Sequence, residues 1–333
     1  MPKFQEIYLD ALPVGRASSG GELSKESAES AFLHARSIAG RLLRLPGLQR
    51  LRPVARRAMV VAEPAGWLTM RATPDQKARP VSEGVTILSA NLWHDWPRHR
   101  RLIERLETFA RLVERQNADV VLLQEVTRTP DLWVDRWLFD RLGMAYVYSR
   151  ANGAENGIGF EEGLAVLSRF QLSKPRLVQL GERHNPFVRR LALGATVETD
   201  YGKLLTFSVH LGLARRHNAS QMAHLRDWVG DSAGDLPALI GGDFNAQEAS
   251  SQIRQTQTKW LDTFRHLHPK ADGATHELRW PGGRLLKRSR LDYIFLQPGS
   301  VRWKVLEARH FNTEEQPHSD HFAVLTRLAP MAP

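Results

Sequence analysis

Residues 238–245 read Ala-Leu-Ile-Gly-Gly-Asp-Phe-Asn, an apolar run that ends in polar side chains. The same pattern occurs where Val120–Leu123 leads into Gln124-Glu125, and the chain also carries Asn91 and the tetrapeptide His-Ser-Asp-His at 318–321. Polar side chains that follow buried strands are where α/β enzymes keep their chemistry. Carboxylates and amides accompanied by histidines suit a hard divalent cation and phosphoryl transfer.

The amino-acid composition limits which classes of protein the chain can belong to. The 333 residues can form one large domain, or one domain with an extension, and the absence of cysteine excludes disulfides, a thiolate zinc site and a cysteine nucleophile. A formal net charge of +10 favours polyanionic partners, nucleic acid or anionic lipid headgroups, although charge that serves solubility alone would look the same. There is no apolar run of about 18 residues and no apolar signal region within Met1–Asp10, so we expect a cytoplasmic protein without a transmembrane segment.

The first 80 residues differ from the rest of the chain. A helix-like stretch begins near Glu26, and Arg36–Arg57 contains seven arginines and no acidic residue. A basic amphipathic segment of this kind can lie on an anionic membrane, which would make residues 26–57 a peripheral membrane contact. It can equally pack on the main domain with its arginines in solvent. We expect a basic, partly helical extension and linker at 1–80 and a catalytic domain at 81–333.

From Val85 onward, strand and helix patterns alternate. Arg98–Gln116 and Asn218–Val229 carry apolar residues at helical spacing, and Val120–Leu123 is a continuous apolar run typical of a strand buried on both faces. Further predicted strands are Val85–Ala90, Ala145–Tyr148, Leu164–Leu167, Leu191–Val197, Leu204–Val209, Ala238–Ile240, Ile294–Leu296 and Phe322–Leu325. Many strands with few helices predict an α/β sandwich of two packed sheets with helices outside.

Seven short motifs in this order resemble those of the endonuclease/exonuclease/phosphatase superfamily. They are Ser89-Ala-Asn-Leu-Trp93, Leu123-Gln-Glu125, Gly163-Leu-Ala-Val-Leu-Ser-Arg169, Ser208-Val-His-Leu211, Gly242-Asp-Phe-Asn245, Leu291-Asp-Tyr-Ile294 and Ser319-Asp-His321. Each motif alone is weak, but their order and spacing over roughly Val85 to Leu328 are specific. The resemblance implies a four-layer α/β/β/α sandwich with two mixed sheets, and a metal-dependent phosphoesterase.

The resemblance also implies a metal site. Mg²⁺ prefers a few oxygen ligands from protein and keeps several waters, and Mn²⁺ can substitute for it. Glu125 is the expected direct ligand, with Asn91 beside it and Asp320 as a third contact.

The same resemblance assigns the other polar residues to catalysis. Asp243 is the expected base or orienter of the attacking water, and Asn245 donates a hydrogen bond to a phosphoryl oxygen or to that water. His321 stabilises the phosphate or transfers a proton, Asp292 holds the His321 ring, and His210 shares the developing charge. Four other histidines have no such support and are expected to be structural: His94, His217, His224 and His318.

We therefore predict a Mg²⁺-dependent hydrolase of phosphodiester bonds that acts by in-line attack of an activated water and is nuclease-like. A phospholipid phosphodiesterase of the sphingomyelinase-like kind, or a phosphomonoesterase, is the alternative, and a non-catalytic binding protein on the same fold is a remote one. Arg189-Arg190 and the predicted loop Arg284–Arg290 either grip flanking phosphates or carry solvated charge.

Overall fold

The computed structural model describes residues 7–9, 68–72, 84–181, 188–280, 283–313 and 316–331. The helix predicted near Glu26, the arginine-rich segment Arg36–Arg57 and the linker predicted at Thr73–Pro80 lie outside the described residues. No helix in the described ranges is both long enough and apolar enough to span a bilayer.

The described strands and helices alternate along the chain much as the sequence predicts. The strands are β1 Ile7–Leu9, β2 Leu68–Arg71, β3 Val85–Asn91, β4 Val120–Thr129, β5 Leu132–Trp133, β6 Ala145–Ala154, β7 Phe160–Ser168, β8 Gln171–Leu180, β9 Arg190–Thr199, β10 Gly202–His210, β11 Ala238–Asp243, β12 Leu261–Asp262, β13 His276–Arg279, β14 Leu285–Ser289, β15 Asp292–Gln297, β16 Trp303–Phe311 and β17 Ala323–Pro330. The helices are α1 Leu102–Arg115, α2 Val134–Leu142, α3 Glu155–Ile158, α4 Arg215–Ala233, α5 Ser251–Gln257 and α6 Thr263–Leu267.

The strands form two mixed sheets and a separate two-stranded ribbon. The large sheet has the order β1-β2-β6-β7-β4-β3-β17-β16, with β5 paired to β4, and the small sheet has the order β12-β15-β11-β10-β9-β8. Strands β3 and β4 run parallel, as do β10 and β11, while the other pairs are antiparallel. Among the described strands, β13 and β14 pair with each other and with no third strand, apart from an isolated bridge between His276 and His321.

The two sheets pack face to face, and helices cover their outer faces. In β4, Leu122 faces the small sheet within the central core, whereas Val121 faces α1 and α2. In β11, Leu239 belongs to the central core and Ile240 packs with α4. Because alternate residues of these strands meet two different apolar layers, the strands are apolar throughout. This arrangement confirms the predicted four-layer sandwich.

Helix α1 begins four residues later than the pattern predicts, because Arg101 adopts a left-handed conformation with φ 51° directly before it. Strand β2 pairs with β6 at the border of the large sheet, so residues before the proposed boundary at residue 80 contribute to that sheet. The division of the chain at residue 80 stays a prediction.

The topology gathers the functional motifs at one edge of the sandwich. Strand β3 ends there with Asn91 in register with Gln124 of its parallel neighbour β4, and β10 and β11 end there with His210 opposite Asp243. Strand β15 starts at the same edge, with Asp292 opposite Asp243. Strand register within each sheet, together with the packing of the two sheets, therefore brings together side chains that are far apart in sequence.

Candidate active site

One oxygen of Asp243 lies at the centre of the polar cluster. Asp243 ends β11, where the backbone passes so close to β10 that a Cβ on the preceding Gly242 would lie 2.0 Å from a carbonyl oxygen of Val209. Its Oδ1 accepts a hydrogen bond from the backbone N–H of Asn245 at 2.9 Å. Its Oδ2 is surrounded by four side-chain nitrogens: Asn91 Nδ2 at 3.2 Å, Asn245 Nδ2 at 3.3 Å, His210 Nε2 at 3.6 Å and His321 Nε2 at 3.9 Å.

Glu125 is presented by an irregularity in β4. The register with β7 shifts between Leu123 and Val126, and Glu125 adopts a left-handed φ of 54°, a conformation that is costly for a residue other than glycine. Its Oε1 accepts from Asn91 Nδ2 at 3.1 Å, and its Oε2 accepts from the backbone N–H of His94 at 3.0 Å. The bulge thus turns the carboxylate out of the strand and into the cluster.

Gln124, the neighbour of Glu125, holds the two sheets together beneath the site. Its buried Nε2 donates to Ser208 Oγ at 3.0 Å, and that hydroxyl donates to the carbonyl of Leu123 at 2.8 Å. These bonds connect β4 of the large sheet with β10 of the small sheet. They fix the position of Glu125 relative to His210, which ends β10.

Asp292 orients His321. Asp292 Oδ2 lies 2.9 Å from His321 Nδ1 and also accepts a hydrogen bond from Thr275 Oγ1 at 2.6 Å. With Nδ1 facing the carboxylate, Nε2 of the imidazole points toward Asp243. A carboxylate–imidazole pair of this kind selects the tautomer and raises the basicity of the ring.

The surroundings of the central groups shift their pKa values in different directions. Burial raises the pKa of Asp243 to about 7, against the opposing charge of His321. Burial by itself lowers the pKa of His321, but Asp292 and Asp243 raise it well above its usual range. Burial lowers the pKa of His210 well below its usual range. At neutral pH, His321 is therefore an imidazolium and His210 is neutral, while Asp243 can exchange a proton.

The structure brings all eight predicted site residues to this edge. Seven of them form one network through the distances given above. The eighth, Asp320, has an exposed side chain and offers an oxygen close to nitrogens of His276 and His321. Their roles stay predictions, since position alone does not establish them.

Three further residues that were not predicted to belong to the site lie beside it. His94 Nε2 lies 3.5 Å from Glu125 Oε2 and 3.8 Å from Glu162 Oε2, so this histidine, expected to be structural, is next to the cluster, and its role stays a prediction. The ring of His276 lies 4.7 Å from that of His321. The only signals in the sequence for these residues were their positions close to the motifs: His94 follows Asn91 by three residues, and Glu162 is next to Gly163. His318, by contrast, is buried against Phe109, as a structural histidine would be.

Several sets of side chains in the described part of the chain could hold a cation. They are His94 with Glu125 and Glu162, Asp243 with Asp292 and His321, and His276 with Asp320 and His321. The first set is rich in carboxylate oxygen, and burial followed by the charge of Glu125 raises the pKa of Glu162. A cation near these crowded carboxylates would relieve their mutual repulsion.

Comparisons with known proteins agree with the geometry. The sequence model described as the Endonuclease/Exonuclease/phosphatase family matches residues 88–321. No curated protein matches the chain in sequence.

Among solved structures, an endonuclease/exonuclease/phosphatase family protein from Leptotrichia buccalis is 19% identical, with a TM-score of 0.61 over 73% of this chain and 99% of that chain. A mannosyl-6-phosphatase from Bacteroides thetaiotaomicron is 21% identical, with a TM-score of 0.55 over 74% of this chain and 99% of that chain. D. rerio TDP2 complexed with a single strand DNA product is 16% identical, with a TM-score of 0.59 over 74% of this chain and 99% of that chain. At these identities the likeness shows the fold.

Proposed function

The chain belongs to the endonuclease/exonuclease/phosphatase family, and from that premise we propose that it is a Mg²⁺-dependent, nuclease-like hydrolase of phosphodiester bonds. Members of the family are generally phosphoester hydrolases, and the finer assignment is ours. The observation that carries it is the convergence of two amide and two imidazole nitrogens on Asp243 Oδ2. Such a cluster can hold a water and share the negative charge of a phosphoryl group.

The residues present fit a hard divalent cation. Asp292 Oδ1 is a buried carboxylate oxygen without a hydrogen-bond partner, and Glu125 and Asp320 add further anionic oxygens at the same edge. We assign Mg²⁺, or Mn²⁺ in its place, to Glu125, Asn91 and Asp320. When bound, the cation polarises the phosphoryl oxygen and steadies the leaving oxygen. Asn91 turns its Nδ2 toward Glu125, so its Oδ1 would serve a cation only after the amide rotates.

The remaining residues act on the water and the phosphate. In this proposal Asp243 orients the water and takes its proton, because its pKa of about 7 suits a base at neutral pH. The His321 imidazolium, held by Asp292, offsets the charge that develops on the phosphoryl oxygens. Neutral His210 donates to a non-bridging oxygen. Asn245 Nδ2 donates to the Leu211 carbonyl at 3.0 Å, so it positions Asp243 rather than the substrate.

Proteins of this fold take more than one class of phosphoester, and the net charge of this chain favours one of them. TDP2 is recorded with single strand DNA, and the Bacteroides thetaiotaomicron protein is a mannosyl-6-phosphatase, so the fold carries both nucleic-acid and monoester substrates. The net charge of +10 favours a polyanionic diester over a small monoester. We assign this activity to residues 81–333, with residues 1–80 as an extension.

The test is nicking of supercoiled plasmid by the purified full chain, with Mg²⁺ and with EDTA. Asp243→Asn should abolish metal-dependent nicking, and Asp140→Asn, at an exposed aspartate of α2, is the matched control. Release of nitrophenol from bis-nitrophenyl phosphate and from nitrophenyl phosphate compares diester with monoester. Hydrolysis confined to the monoester would overturn the diesterase assignment, and equal nicking by Asp243→Asn would overturn the role of Asp243.

A further inference from the structure

The ribbon formed by β13 and β14 carries an unusual concentration of exposed apolar side chains. Leu278, Trp280, Leu285 and Leu286 are 50%, 62%, 41% and 50% exposed. They are four of the ten large apolar side chains that are exposed in the described ranges, and they lie within one stretch of nine residues, 278–286. Exposed apolar groups that cluster in this way mark an interaction surface, whereas single ones are ordinary.

Near its tip, neither face of the ribbon packs against the described part of the protein. Residues 285–288 are four consecutive exposed positions of β14, and consecutive strand residues point to opposite faces. A two-stranded ribbon that is exposed on both faces gains little stability from its own contacts. The leucines and Trp280 are therefore available to a partner.

Some charges of the ribbon are paired and others are not. Glu277 pairs with Arg279 and Arg288, and Arg288 also pairs with Asp272. Arg284 at the turn and Lys287, which lies opposite Leu278, are exposed and have no carboxylate partner among the described residues. The ribbon thus combines exposed apolar side chains with two positive charges that no described carboxylate neutralises.

The root of the ribbon is part of the catalytic edge. His276 begins β13 and forms a bridge with His321, which pairs with Asp292. Leu278 follows two positions later on the same face of the strand as His276. Whatever covers the tip is therefore brought alongside the catalytic cluster.

We propose that this ribbon is a docking surface for an anionic phospholipid bilayer. Leucine side chains cannot stack on nucleobases, but they contribute binding free energy when they are buried in the hydrocarbon of a bilayer. Tryptophan is favoured at the level of the headgroups, where Arg284 and Lys287 would meet lipid phosphates. Single-stranded nucleic acid would instead call for several aromatic side chains, and the ribbon has one. The docking itself is independent of catalysis, but delivery of headgroup phosphodiesters to Asp243 rests on the proposed function.

The experiment is co-sedimentation of the full chain with vesicles of phosphatidylglycerol and phosphatidylcholine, in EDTA so that hydrolysis plays no part. The variant Trp280→Ser with Leu286→Ser should bind at least about tenfold more weakly, because two large apolar side chains no longer enter the bilayer. Met331→Ser is the matched control: Met331 is 51% exposed and lies beyond the far end of β17. Arg284→Gln and Lys287→Gln should each weaken binding by about fivefold, and Lys304→Gln, an exposed lysine of β16, should not.

Circular dichroism first establishes that each variant is folded. Loss of vesicle binding in the ribbon variants alone supports the proposal. Equal binding by wild type and the Trp280/Leu286 variant, or no vesicle binding by wild type, overturns it. Loss of binding to a single-stranded oligonucleotide with vesicle binding retained would assign the ribbon to nucleic acid instead. If no phosphodiester is hydrolysed but the ribbon variants still lose vesicle binding, the proposed function fails and the docking surface stands.

Discussion

Replacement of Asp243 by asparagine should stabilise the fold increasingly as the pH rises from 5 to 7. Asp243 is 2% exposed, and its pKa is raised from the ordinary 3.8 to about 7 by burial. The folded protein therefore holds the proton more tightly than the unfolded chain does. The free energy of unfolding of the wild type falls as the pH rises between these two pKa values and levels off above the higher one.

The magnitude follows from the two pKa values. The raised pKa costs the fold about 4 kcal/mol at pH 7 and about 2 kcal/mol at pH 5, because the unfolded chain ionises at both pH values while the folded protein keeps Asp243 largely protonated at pH 5. Asparagine removes this cost. The substitution also replaces one acceptor oxygen by an NH₂ group, which then faces an N–H that donated a hydrogen bond to the carboxylate, such as the backbone N–H of Asn245. This loss costs about 1–3 kcal/mol at both pH values. The hydrogen-bond cost is the same at both pH values and cancels when they are compared. The free energy of unfolding of the variant, relative to that of the wild type, should therefore rise by about 2 kcal/mol between pH 5 and pH 7.

The assay is urea unfolding followed by circular dichroism at both pH values, in EDTA so that no cation stabilises the carboxylates. Asp140→Asn, on the exposed face of α2, is the control and should show no such gain. A difference between Asp243→Asn and wild type that is the same at pH 5 and pH 7 would refute the raised pKa of Asp243.

Three further predictions concern the reaction. His321→Ala should leave the circular dichroism spectrum unchanged and lower kcat by about 10² or more, and near-wild-type turnover would remove His321 from the mechanism. Burial lowers the pKa of His321, whereas Asp292 raises it. Asp292→Asn should therefore move the alkaline limb of the pH profile of kcat/KM to lower pH. If the limb does not move, it reports the titration of a group other than His321. Glu125→Ala should raise the Mg²⁺ concentration needed for half-maximal activity by about tenfold or more, measured by titration of metal into EDTA-treated protein, and an unchanged titration would exclude Glu125 as a ligand.

Much of the fold could be predicted because its signals are local. The continuous apolar run Val120–Leu123 meets an apolar layer on each face, and the helical spacing within α1 buries one side of that helix. These patterns repeat within a few residues, so a single stretch of chain carries them. The start of α1 was less well predicted, because the left-handed conformation of Arg101 has no signature in the periodicity.

The ribbon shows where local patterns were misleading. Arg284–Arg290 was predicted to be a basic loop, since four of its seven residues are arginine or lysine, but the structure has strand β14 at Leu285–Ser289. Its pairing with β13 depends on residues about ten positions earlier, with a bulge between Leu278 and Arg279. Neither the pairing nor the exposure of its leucines can be read from the segment alone.

The sequence by itself determined which residues are candidates for the site, because the polar groups stand next to apolar runs and occur in the order of the motifs; their roles stay predictions. Their convergence was decided by tertiary structure. Asn91, Asp243 and His321 are separated by more than 70 residues each. The packing of the large sheet, which carries Asn91, on the small sheet, which carries Asp243, and the path of the chain before β17 bring the nitrogens of Asn91 and His321 within 4 Å of Asp243 Oδ2. The same convergence buries Asp243 and raises its pKa, because desolvation depends on every element that closes over the carboxylate and on no single one of them.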